Sequence, residues 1–352
     1  MKRVLGVLLL TAGLCAARWN REAEPEAAAE PVVEPLPQSG PLWGHDLPMD
    51  PGVLPQGLAN PTAQACAACH DTGWEGSAHA TPSSSWRQAA AANGNSPLCT
   101  ACHLPLQSQH AQVVVEYNGG PLGDAEVVPN PGYDSALAGE SVTCAACHMR
   151  DGALVGPEAS EAPHPTAQGG SDTCTACHQY TWPGGDSPLY DTVGEWSTSA
   201  WAAEDVGCTD CHGHDLRARG ALSLLLDAPA ELTRGEPVNL TLTVQNTGAG
   251  HNVPTGSPWG ALLIEVQVVA DGGPVGEAWT TRLGKTLGED APWPLVEDST
   301  LAPLAERLYE VPLELPQSAP DGRGDVVVRT LRIGPDGVAT PSQVTRVPVV
   351  VY

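Results

Sequence analysis

Cys66-Ala-Ala-Cys69-His70 sets the chemistry of this chain, and the sequence repeats the pattern four more times. The repeats are Cys99-Thr-Ala-Cys102-His103, Cys144-Ala-Ala-Cys147-His148, Cys174-Thr-Ala-Cys177-His178 and Cys208-Thr-Asp-Cys211-His212. C-x-x-C-H is the attachment signature of c-type haem. Two thiols three positions apart can reach the two vinyl groups of one porphyrin and form thioethers. The adjacent histidine then comes under the iron and supplies a strong nitrogen ligand. Disulfides do not need a histidine after every second cysteine. Zinc ribbons use C-x-x-C motifs in pairs, which an odd set of five does not satisfy. The reading is therefore five haem c groups, with iron held on the proximal side by His70, His103, His148, His178 and His212.

Working outward, residues 61–220 carry ten of the eleven cysteines and nine of the eleven histidines. The background is rich in Gly, Ala, Ser and Pro, at about 30 residues per motif, too few to build an ordinary apolar core. The expectation is a pentahaem domain of short helices and loops wrapped on its cofactors. Sixth ligands must come from elsewhere. Six further histidines exist, His45, His79, His110, His164, His214 and His251, while the methionines are poorly placed. Mostly bis-histidine ligation follows, with His79, His110, His164, His214 and His251 as the distal candidates. His45 lies in a Pro/Gly-rich stretch beside Asp46 and is the reserve.

The flanks differ in kind. Lys2 and Arg3 precede an almost wholly apolar run to Ala17, too short to span a bilayer and suited to a signal peptide over residues 1–17. Lipid attachment at Cys15 is the alternative to cleavage, though Leu14 stands where a small residue is expected. Residues 18–60, with Glu22, Glu24, Glu26, Glu30 and Glu34 among Ala and Pro, read as an acidic linker. No later run is long and apolar enough for a spanning helix. Residues 221–352 lack cysteine and alternate apolar with polar side chains: Val238, Leu240, Leu242, Val244; Leu262, Ile264, Val266, Val268; Tyr309, Val311, Leu313, Leu315. That period of two predicts half-buried strands. About seven strands separated by turns such as Asp271-Gly-Gly-Pro274 suggest an immunoglobulin-like sandwich. Pro312 should lie on an edge strand.

Several segments resemble a known family. Trp74-Glu-Gly-Ser77-Ala-His79-Ala80, Asn95-Ser-Pro-Leu-Cys99, Glu195-Trp196-Ser-Thr-Ser-Ala and Asn246-Thr-Gly-Ala-Gly-His251-Asn-Val-Pro254-Thr-Gly256 are similar to segments of multihaem c-type cytochromes. Those proteins are related to the tetrahaem carriers of ammonia-oxidising bacteria, in a branch with an appended C-terminal β-sandwich. The resemblance covers about residues 61–270. It implies a bis-histidine array, an electron-transfer role and a distal-ligand function for His79. One departure stands out. A second W-x-x-S-x segment ends in Trp201 where the first has His79, so that position cannot ligate iron.

Charge narrows the function classes. The formal charge is −25, from 41 acidic against 16 basic residues. That sign excludes a nucleic-acid surface and would steer cationic redox partners toward the protein. The expected role is an exported electron carrier, periplasmic or on the outer cell surface, with no catalytic constellation. The alternatives are a redox enzyme with one open haem, of the nitrite or hydroxylamine kind, and a haem-rich structural or filament subunit.

Overall fold

The computed structural model describes residues 49–352, except 51, 56, 59, 71–72, 81–96, 119–123, 151, 157–158, 160–163, 169–170, 183–184, 215–219 and 291–292. The expected signal peptide, Cys15, the linker up to residue 48 and His45 lie outside the described residues.

Each attachment motif is built on a helical turn, which brings positions i and i+3 to one face. Ala63–Ala67 (α1) carries Cys66, Pro97–His103 (α2) the second motif and Cys144–His148 (α3) the third. Ser171–Cys174 is a 3-10 turn leading into Thr175–His178 (α4), and Cys208–Cys211 (α7) holds the fifth motif. Between them stand Thr192–Ser197 (α5) and Ala200–Ala203 (α6). Caps start these turns: Thr62 Oγ1 accepts from Ala65 N at 3.2 Å, Ser199 Oγ from Ala202 N at 3.4 Å, and Pro97 opens α2.

The segments between motifs are β-structure. Gln112–Asn118 (β1) pairs antiparallel with Asp124–Pro129 (β2). Met149–Arg150 (β3), Ala153–Gly156 (β4) and Thr166–Gln168 (β5) form a three-stranded sheet. Gln179–Thr181 (β6) pairs with Pro188–Asp191 (β7). This corrects the expected fold class, a cytochrome domain of helices and loops beside an immunoglobulin-like sandwich. The described chain is mostly β, its helices are four to seven residues long, and no helical cytochrome domain is evident. The physical reason is length. Helices this short do not hold without tertiary support, and hairpins satisfy the intervening backbone with fewer ordered residues.

The largest core lies in the β-sandwich. Its first sheet runs Glu306–Glu314 (β14), Pro237–Asn246 (β10), Leu222–Asp227 (β8). The second runs Leu295–Asp298 (β13), Gly273–Leu287 (β12), Ala261–Ala270 (β11), Gly322–Ile333 (β15), Ala339–Val351 (β16), Glu231–Leu232 (β9). Leu240, Leu242 and Val244 of one sheet meet Ile264, Val266, Val326 and Val328 of the other, all buried. Pro312 is on the edge strand β14, opposite Asn239, where a missing N–H costs no ladder bond.

By contrast, the motif-bearing region has two small clusters. One is Ala101, Tyr180, Trp182 and Leu189; the other is Leu106, Ala145, Ala146 and Met149. Polar staples supplement them. Buried Gln109 donates through Nε2 to the carbonyls of Leu137, Glu140 and Ser141, and Glu140 accepts from Ala63 N at the start of α1. Pro37–Tyr352 is one compact unit. Among the described residues, no helix is long and apolar enough to cross a membrane.

Candidate functional site

The small clusters surround a cavity of about 2290 Å³. Ordinary small-molecule pockets run to roughly 300–1,000 Å³, so this space exceeds what one modest ligand needs. Its wall includes all nine cysteines whose side chains are described and all five motif histidines. His79, His164, His214 and His251 line it too, with Trp74, Trp196 and Trp201 among the apolar walls.

Histidines meet across this space in pairs. His70 faces His164 with ring centres 6.1 Å apart, and His79 faces His178 at 6.0 Å. His148 faces His214 at 6.0 Å, and His212 faces His251 at 6.1 Å. Each pair joins a motif histidine to one distant in sequence. The separation tests the fit of a six-coordinate iron. A metal–imidazole bond of about 2 Å on each side, plus roughly 1 Å from nitrogen to ring centre on each side, spans about 6 Å.

Backbone carbonyls fix some of the rings. His148 Nδ1 donates to Val155 O and His251 Nδ1 to Asn252 O, both at 2.9 Å. A ring whose Nδ1 is the donor keeps the Nε2 lone pair for a metal. Burial lowers the pKa of His79, and burial with nearby imidazoles pushes His103 and His178 down to about 4. Both are neutral near pH 7, the form that ligates metals. His79 Nδ1 is buried with no hydrogen-bond partner in the protein, a cost that a bound group beside it would relieve.

One sequence candidate goes elsewhere. His110 Nε2 donates to Leu104 O at 2.6 Å, and the ring is not part of the cavity wall. Met49 packs between the two small clusters and its sulfur accepts from Arg150 Nη1 at 3.3 Å. His103 does line the cavity.

The cysteines of different motifs also touch. Cys144 donates to Cys66 and Cys174 to Cys208. The accepting sulfurs are drawn down to about 7 at Cys66 and about 6 at Cys208, while the donors are pushed up. Cys102 and Cys177 meet likewise, and burial with that contact raises Cys177. Among the described cysteines none is joined in a disulfide.

The loop of His251 rests on α5 and α6. A Cβ at Gly250 would lie 3.3 Å from Trp196 Cδ1 and 3.3 Å from Trp201 Cβ. Trp201 is thus a packing surface for this loop. Glu195, on α5, is the functional residue that sequence reasoning missed. Its Oε2 accepts from Thr255 Oγ1 at 2.5 Å and from Asn252 N at 3.2 Å, and its Oε1 faces Lys285 Nζ at 3.4 Å. Burial raises the Glu195 carboxyl, opposed by those hydrogen bonds and the lysine. The available signal was that Lys285 and Lys2 are the only lysines in the chain.

No family model matches the chain, and no curated protein does. Solved structures match over part of the chain. The CARDB domain of a Pyrococcus furiosus protein, in complex with di-metal ions, is 15% identical; the match covers 37% of this chain and 87% of that one, with a TM-score of 0.22. A Niemann-Pick type C2 protein from Japanese carpenter ant is 7% identical, covering 37% of this chain and 89% of that one, with a TM-score of 0.21. The resemblance to multihaem cytochromes is corrected by the architecture: the described chain is mostly β, with short helices. Among the described residues, no group of three or more His, Cys, Asp or Glu gathers to hold a metal ion. The chain is not assigned to that family; its largest described part is a β-sandwich. His79 remains a distal candidate on the count of histidines. The geometry of His79 does not depend on that resemblance.

Proposed function

We propose that this chain is an exported electron carrier that holds five haem c groups by the cysteines of its five C-x-x-C-H motifs. The observation that carries this reading is the set of four histidine pairs at 6.0–6.1 Å, each including a motif histidine. A porphyrin supplies four of the six iron ligands, so two histidines suffice and no cluster of three protein ligands is needed. Bound haem supplies a one-electron couple at its iron. The protein's part is to hold, orient and shield. The pairs His70 with His164, His178 with His79, His148 with His214 and His212 with His251 would fill both axial positions, leaving substrate no open iron at those four sites. The cavity wall would enclose the groups held there. The acidic surface would draw cationic redox partners, and thioether attachment together with the expected leader sequence would suit a mature chain outside the cytoplasm.

Pyridine haemochrome assay with intact-mass measurement on protein matured in a haem-c-competent host tests the reading. Five covalent haems and a low-spin spectrum are expected, with a chain lacking its first 14 to 17 residues. Fewer than four covalent haems, or stoichiometric carbon monoxide binding at one of the four paired sites, would overturn it.

A further inference from the structure

The pairing of His212 with His251 places an iron ligand on a loop of the sandwich, and that loop must be held to ligand accuracy. We infer that Glu195 is the positioning residue that aims His251 at the iron of the fifth motif, an inference that rests on the haem reading above. Glu195 sits on α5, two helices before α7, which carries the motif whose haem it would serve. Its side chain is 5% exposed, and that of its partner Lys285 is 11% exposed. Burying such a pair is costly unless further hydrogen bonds satisfy both ions, so its presence asks for a role. The contacts give one.

Glu195 Oε2 holds Asn252 N and Thr255 Oγ1, bracketing the chain just after His251. The Asn252 carbonyl is the acceptor for His251 Nδ1. Residue 252 is therefore gripped by the carboxylate at its nitrogen while its oxygen sets the imidazole. Thr192, on the same helix as Glu195, adds a hydroxyl contact to Thr255 at 2.9 Å. On the sandwich side, Asn246 Nδ2 donates to His251 O and Leu301 O, and Asn252 Nδ2 donates to Thr300 Oγ1. The ring is thus fixed relative to the strands by asparagines and relative to the motif helices by Glu195. Without the carboxylate, the sandwich side remains tied while the side facing His212 loses its register.

The test uses the matured full-length protein. Glu195→Ala should keep five covalent haems and turn about one in five to a high-spin form that binds carbon monoxide, matching His251→Ala. The double variant should show no more high-spin haem than either single one, which locates the effect at the same iron. Glu195→Gln keeps an oxygen acceptor for Asn252 and Thr255 and should stay low-spin. A merely structural role would lower stability in both variants without this spectroscopic split. If Glu195→Ala does not mature, Thr255→Val removes one bracket while leaving the ion pair, and a carbon-monoxide-reactive fraction at least about tenfold above wild type is expected. A wholly low-spin Glu195→Ala protein with five haems overturns the inference, as does an unreactive Thr255→Val where only that variant matures. Wild-type protein without covalent haem would instead overturn the haem reading, and it is measured before any substitution.

Discussion

At the scale of single residues, His110 and His251 make opposite predictions from the same sequence evidence. Both were candidates because haem iron needs a sixth ligand and histidines are in excess. His110 spends its Nε2 on Leu104 O. His110→Ala should therefore leave the spectrum unchanged and cost about 1 kcal/mol for the lost hydrogen bond. His251 has its Nδ1 on Asn252 O and its ring centre 6.1 Å from that of His212. His251→Ala should leave five haems attached and make one high-spin, measured by electron paramagnetic resonance and carbon monoxide titration. The difference could not be read from the chain, because a hydrogen bond to a carbonyl six residues away looks the same in sequence as a free imidazole. The C-x-x-C-H motifs were legible because the pattern is local: two thiols and an imidazole within five positions. Pairing was not, since His70 and His164 are brought together by the fold around them.

At the scale of elements, legibility follows burial on one face or two. Strands β10, β11 and β14 were readable because one face packs on the core and the other is polar, giving period two. Strand β15 breaks the rule, with Val326, Val327 and Val328 consecutively buried. The hairpins β1–β2 and β6–β7 were hidden in Gly/Pro-rich segments that read as loops. Ile264 is fully buried on β11, paired to β12 on one side and β15 on the other. Ile264→Ala should cost about 2–5 kcal/mol, seen as a lowered midpoint for the sandwich transition in urea. Gly250 tests an element contact instead. A methyl group there meets two indole side chains at 3.3 Å, so either the loop or the tryptophans must shift. Gly250→Ala should raise the protease sensitivity of the loop at residues 246–256 with little change in the urea midpoint of the sandwich.

At the scale of the whole molecule, the two halves of the described chain are stabilised differently. The sandwich has a continuous apolar core of more than twenty buried residues, drawn from both sheets. The motif-bearing region has two clusters of four, set around a cavity of about 2290 Å³. Apolar burial of that size cannot offset the backbone entropy of ordering some 150 residues at roughly 1–2 kcal/mol each. On the proposed haem reading, the bound groups would contribute the difference, as metal does in small metal-dependent domains. Chain expressed without haem attachment should therefore come apart unevenly. Limited proteolysis should cut within residues 61–220 at low protease concentration and leave a resistant fragment that begins near Leu222, the first residue of β8. Hydrogen exchange should show protection in β10, β11 and β15 and little in α1, α3 and α7. Matured protein should resist cleavage in both regions under the same conditions. Equal resistance of the haem-free chain in both regions would mean that the protein alone orders residues 61–220, and that the cavity is not what its cofactors build.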